Sequence, residues 1–186
     1  ARRASRLLSG CVTPVVGLEA LAAPTPGVCR LMGMVEYPGR GEQLIGSNFS
    51  NQILKGASFR GANLERARFH GSNLDGANLQ LAILTRAVLK RVSAKRANFR
   101  RADLTRALCA GGNFRGADFS EAFLDDVDFK NADLRDATFS GASFGRARLS
   151  GADLSGAVFG IGRGDVGSCL YSSKTIWPEG YSPPGR

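Results

Sequence analysis

Gly61-Ala62-Asn63-Leu64-Glu65 and Arg101-Ala102-Asp103-Leu104-Thr105 spell the same five-residue phrase, and that phrase runs from residue 47 to 160 without insertion or deletion. With the Leu of each unit as its centre, the centres step from Phe49, Leu54 and Phe59 to Leu149, Leu154 and Phe159. Of 23 centres, 21 are Phe or Leu, the exceptions being Ala94 and Cys109, and two residues earlier 17 of 23 positions are Ala. The residue between favours Asn, Asp, Ser or Thr, as in Asn63, Asn98, Asp118 and Asp153. A period of five fits neither a helix nor a flat strand. Two residues of each unit therefore point inward and three outward, making one short side and a corner. Such a unit buries little alone and needs stacked neighbours to form a core.

Each column of the repeat has a physical reading. Phe and Leu fill the axis in layers, Ala fits where side chains crowd the wall, and Gly tolerates corner dihedrals. Asn and Asp bond nearby turn amides. Ala94 and Cys109 are expected to leave thin places, since removing a central Leu or Phe costs about 2–5 kcal/mol. Leu89 or Leu108 is expected to compensate.

The spelling A(D/N)LXX resembles the pentapeptide-repeat family, over about 115 of the 186 residues. The resemblance implies an all-β fold: a right-handed quadrilateral parallel β-helix with four pentapeptides per coil. Nearly six coils would follow, about 27 Å long at the spacing of neighbouring strands. The chain divides into an N-terminal extended arm (1–45), the β-helix (46–160) and a C-terminal cap and tail (161–186).

An open coil end exposes unpaired backbone groups, so a cap is expected. Tyr171-Ser-Ser-Lys-Thr-Ile-Trp-Pro-Glu-Gly-Tyr181 breaks the register and is similar to the closing segment of many such arrays. Trp177 is the apolar plug, with Pro178 and Gly180 setting the turn; a docking role for Trp177 is the alternative. At the other end, Arg2-Arg3 before an apolar stretch ending Ala20-Leu21-Ala22-Ala23 is similar to a twin-arginine export signal. Pro14 and Glu19 interrupt the stretch, which favours an extended arm, and the start at Ala1 suggests a processed chain. No apolar run approaches the roughly 20 residues that span a bilayer.

Catalytic chemistry is not spelled anywhere. The single His, His70, sits at an outward position, and no nucleophile elbow, phosphate loop or metal-ligand cluster occurs. The Gly spacing is a by-product of the period, and no cofactor motif is found. Cys109 is read as an inert core residue. Cys11, Cys29 and Cys169 lie outside the repeats, where a disulfide belongs only to an oxidising compartment and free thiols are the ordinary expectation.

The charge is informative. The chain carries a formal +9, which favours an acidic partner or simply keeps the surface soluble. Residues 46–115 hold 13 basic and 3 acidic residues, whereas 116–160 hold 4 basic and 8 acidic. Residues 20 apart share a face, so Arg66, Arg86, Arg106 and Arg146 form a column interrupted by Asp126. With Val88 and Leu108 beside it, this column is the candidate docking face. Pairs such as Arg101 with Glu121 and Arg106 with Asp126 are expected from coil to coil. The basic half argues against the negatively charged DNA mimicry known in some members of the family. Nucleic-acid binding has charge in its favour but no aromatic platforms or docking motif.

These features predict a non-enzymatic scaffold binding protein partners. The family's expansion in cyanobacteria and chloroplasts suggests an accessory subunit of a photosynthetic-membrane complex, in the thylakoid lumen. A free-standing repeat protein of the bacterial cytoplasm, binding an acidic partner or nucleic acid, is the alternative.

Overall fold

The computed structural model describes residues 43–160, 166 and 168–183. Every described residue belongs to one compact unit, Met34–Arg186. The expectations for residues 1–42, including the export-like segment, Cys11 and Cys29, lie outside the described residues.

Parallel bridges join residues 20 apart from Gln43↔Asn63 to Thr138↔Val158. Each bridge residue stands between an inward Ala position and an inward Phe or Leu, so its own side chain points outward. The bridges form four ladders, one per face. The first face holds Asn63, Ile83, Asp103, Phe123 and Ser143, and the second holds Asn48, Arg68, Val88, Leu108, Asp128 and Arg148. Ile53, Asn73, Ser93, Asn113, Asp133 and Asp153 form the third, and Ser58, Asn78, Asn98, Asp118, Thr138 and Val158 the fourth.

A tight turn separates consecutive faces. From Ser47 N–H donating to Leu44 O through to Ala157 N–H donating to Leu154 O, 23 turns close with bonds of 2.8–3.4 Å. The third residue of every turn has a left-handed φ, between +54° and +73°. Glycine meets this demand at 10 of the 23 turns, while 13 carry a side chain, so glycine at the corners is only part of the account. The Asn and Asp column works as its chemistry suggests. At all eleven bridge positions holding Asn or Asp, the side-chain oxygen accepts the N–H two residues on, at 2.8–3.2 Å.

The interior is apolar and layered. Phe99, Phe119, Phe139 and Phe159 stack one coil apart, with ring centroids 4.8–5.4 Å apart and planes within 17°. Ala94 and Cys109 are fully buried, and of the two residues expected to compensate, Leu89 is fully buried one coil before Cys109 in the same column. Leu108 cannot compensate, because it stands at a bridge position and is 36% exposed. Phe114 does so instead: it lies one coil beyond Ala94 in the same column and packs against Phe99 and Phe129. Gly112 makes room for it, since a Cβ there would stand 2.5 Å from the Phe114 ring. Burial pushes the Cys109 thiol far above its ordinary pKa, keeping it protonated.

At the C-terminal end, Leu170 and Ile176 extend two ladders by bridging Arg148 and Asp153. Thr175 fastens this segment by donating its hydroxyl to Leu149 O at 2.9 Å, and the Cys169 Sγ lies 3.3 Å from Phe144 O. Tyr181 N–H donates to Pro178 O at 3.0 Å, closing a turn whose Gly180 has φ +74°. Three rings share the plug. Tyr181 stacks on Phe159 at 4.9 Å, nearer than Trp177 at 6.4 Å, and Trp177 is held between Tyr181 and Tyr171.

Candidate partner-binding surface

Corners project furthest from the axis, so their side chains meet a partner first. The corner after the first face carries Arg66, Arg86, Arg106, Asp126 and Arg146 in a column, all at left-handed φ of +55° to +60°. On the adjoining second face Val88 bridges Leu108, giving the column an apolar flank. Val88 is half-buried and Leu108 more exposed.

The four arginines differ in what they meet. Arg146 donates to Asp126 at 2.9 Å and Arg106 approaches the same carboxylate at 3.6 Å, so Asp126 offsets both. Arg66 lies 3.5 Å from Glu65. Arg86 has no ion pair among the described residues. The same is true of Lys90, Arg91, Lys95 and Arg96, which follow it around the next two corners. Arg68 joins them on the second face, bridging Val88. Tracing corner columns alone misses Arg68, because it occupies a bridge position where Asn or Asp is the usual residue.

Beyond the third corner the pattern changes. At the fourth corner Glu121 accepts from Arg101 at 2.7 Å and also from Arg100, and these bonds hold its carboxyl below the ordinary value. The third corner has a shallow groove of about 860 Å³ among Lys55, Lys95, Arg96, Arg115 and Arg135. Its acids are engaged: Asp136 with Arg115 at 3.0 Å, and Asp75 accepting the Ser93 hydroxyl at 2.7 Å and the Lys95 N–H at 2.9 Å, while Arg135 reaches the neighbouring Asp133 at 2.7 Å. The Arg135 hydrogen bond is the main cause of the lowered Asp133 pKa. The uncompensated charge therefore spans the second face and the first three corners. His70 lies there too, exposed.

The arrangement offers fixed cations around a narrow apolar strip, a surface for an acidic partner. No helix among the described residues is long and apolar enough to cross a membrane.

Comparison with known proteins bears on the fold. A family model described as Pentapeptide repeats matches in 8 copies, over residues 43–80, 82–120, 113–151 and 122–160. A pentapeptide repeat protein of the Arabidopsis thaliana thylakoid lumen is 32% identical, over 59% of this chain and 70% of that one, with a TM-score of 0.49. HetL, a pentapeptide repeat protein involved in heterocyst differentiation regulation in the cyanobacterium Nostoc, is 25% identical over 67% of this chain and 74% of its own, with a TM-score of 0.30. QnrB1, a plasmid-mediated fluoroquinolone resistance protein, is 18% identical over 76% and 84%, with a TM-score of 0.39. The search of curated proteins found no match.

Proposed function

We propose that this chain, which belongs to the pentapeptide-repeat family and shares its right-handed quadrilateral β-helix, is a non-enzymatic scaffold that holds an acidic protein partner against its second face. The observation that carries this reading is Arg86, exposed, left-handed at φ +57° and without an ion pair among the described residues. A left-handed conformation costs an L-residue roughly 1–2 kcal/mol, and an unpaired cation among cations adds repulsion. No ion pair among the described residues offsets that repulsion, which supports a use for the side chain in a partner. Arg66, Arg106 and Arg146 continue the column, and Val88 and Leu108 supply apolar contact.

In this reading residues 1–45 are a tethering arm, 46–160 form nearly six coils, and 161–186 close the far end through Trp177, Pro178 and Gly180. The context is an accessory subunit of a photosynthetic-membrane assembly, a proposal that rests on the repeat resemblance. Nucleic acid is the second reading, favoured by the run of uncompensated cations from Arg86 to Arg96.

Photo-crosslinking tests the reading. A benzoyl-phenylalanine is placed at Val88 on the second face or at Asn98 on the fourth, in the full chain expressed in its source. We expect an acidic protein to be captured from position 88 and not from 98, and to be lost in the Arg86→Glu, Arg106→Glu variant. Equal capture from both positions, or capture that survives the double reversal, would overturn the reading. Nucleic acid captured at position 88 would replace it with the second one.

A further inference from the structure

The second face is bordered by cations on both sides. Within a single coil the chain passes Arg86 at the first corner, Val88 on the face, and Lys90 and Arg91 at the second corner. The three cations are exposed and have no ion pair among the described residues. Between them the floor is apolar, because Val88 bridges Leu108 one coil on. Arg68 precedes this pair on the ladder and Asp128 follows it, so the strip begins on a cation and ends on an acid. What fits it is an apolar line with acids along both sides. A nucleic-acid backbone brings charge but no such line.

Spacing selects the backbone of the occupant. Coils are about 4.8 Å apart, so the ladder positions from Arg68 to Asp128 stand at about 0, 4.8, 9.6 and 14.4 Å. Helical residues i, i+3, i+7 and i+10 rise by about 0, 4.5, 10.5 and 15.0 Å. They stay within about 1 Å of every coil. Alternate residues of an extended strand are about 6.7 Å apart, and by the last position they have slipped by more than one coil. The described residues of this chain contain no helix, so a second copy does not supply one from them.

We propose, resting on the reading of the second face as the docking surface for an acidic protein, that the docked element is an amphipathic α-helix lying along the solenoid axis. Its apolar stripe sits on Val88 and Leu108, and its carboxylates meet Arg86 on one side and Lys90 and Arg91 on the other. Asp126 and Asp128 repel those carboxylates and end the contact, which limits it to about ten helical residues, roughly three turns.

Two labelled peptides of about fourteen residues, each a little longer than the contact, test this against the full chain by fluorescence anisotropy. Both contain the same Leu, Glu and Ala residues. One sets Leu at helical spacing with Glu on either side, and the other alternates Leu with Glu. We expect the first to bind at least about tenfold more tightly and to gain helix on binding in difference circular dichroism. Leu108→Glu and Lys90→Glu should each weaken it at least about tenfold, with the chain's own spectrum unchanged. If Leu108→Glu does not fold, Leu108→Ser takes its place. Failure of the first peptide to bind, equal binding of the two, or binding that survives the Leu108 change would overturn the helix. Photo-crosslinking from position 88 separates the two readings. An acidic protein captured there alongside any of those results removes the helix alone, whereas no capture and no peptide binding removes the docking surface as well.

Discussion

Arginine is a costly residue for a backbone with φ near +55°, yet Arg86, Arg91, Arg96, Arg101 and Arg106 hold five consecutive turns in that conformation. Glycine would adopt it without strain, at the cost of greater freedom in the unfolded chain. The left-handed penalty is roughly 1–2 kcal/mol, against about 0.5–1 kcal/mol for the glycine entropy. The penalty outweighs the entropy, so Arg91→Gly should stabilise the fold by about 0.5 kcal/mol in urea denaturation. A loss of stability would show that the Arg91 stem, which passes over Gly111, contributes more through packing than its backbone costs. The sequence conveys half of this corner. Gly at Gly56 or Gly116 announces a left-handed turn, whereas Arg at the same place announces only charge. The Asn and Asp column was legible in full, because a short polar side chain before a turn has few partners other than the turn amide.

At the scale of one coil, the period of five is enough to assign inward and outward residues, since a single slip would expose every Phe and Leu. What periodicity does not convey is how neighbouring coils share space. Leu108 is near Cys109 in sequence but points outward, while Phe114 reaches the gap by stacking beyond Ala94. Phe114→Ala should therefore cost about 3–5 kcal/mol, the upper range for core aromatics. Leu108→Ala should cost much less, because the side chain is only partly buried. Urea midpoints for the two variants check this, and similar losses would mean that Leu108 supports the thin place after all. The C-terminal plug followed the same logic. Its Trp177, Pro178 and Gly180 stand out in the sequence, but the ring closest to Phe159 belongs to Tyr181, which only the turn at Gly180 brings into place.

Over the whole described solenoid, attraction and repulsion have different ranges. Most ion pairs draw an acid from Glu121, Asp126, Asp133 or Asp136, so the attractions gather toward the second half and act at contact distance. Within the basic half Arg66 pairs with Glu65, while Arg100, Arg101, Arg106 and Arg115 reach across to acids of the second half, and the cations left over among the described residues repel one another. Exposed pairs contribute about 0–1 kcal/mol each, and screening removes interactions beyond about 10 Å at 0.1 M salt before it weakens contacts. Added salt should therefore relieve repulsion first. The thermal midpoint of the chain should rise as sodium chloride approaches about 0.1 M and then level off. Arg86→Glu, which places an acid amid the uncompensated cations, should reduce that rise. A midpoint that falls steadily with salt would mean that the contact pairs outweigh the basic half's repulsion, and the case for a partner drawn from Arg86's uncompensated charge would fail with it.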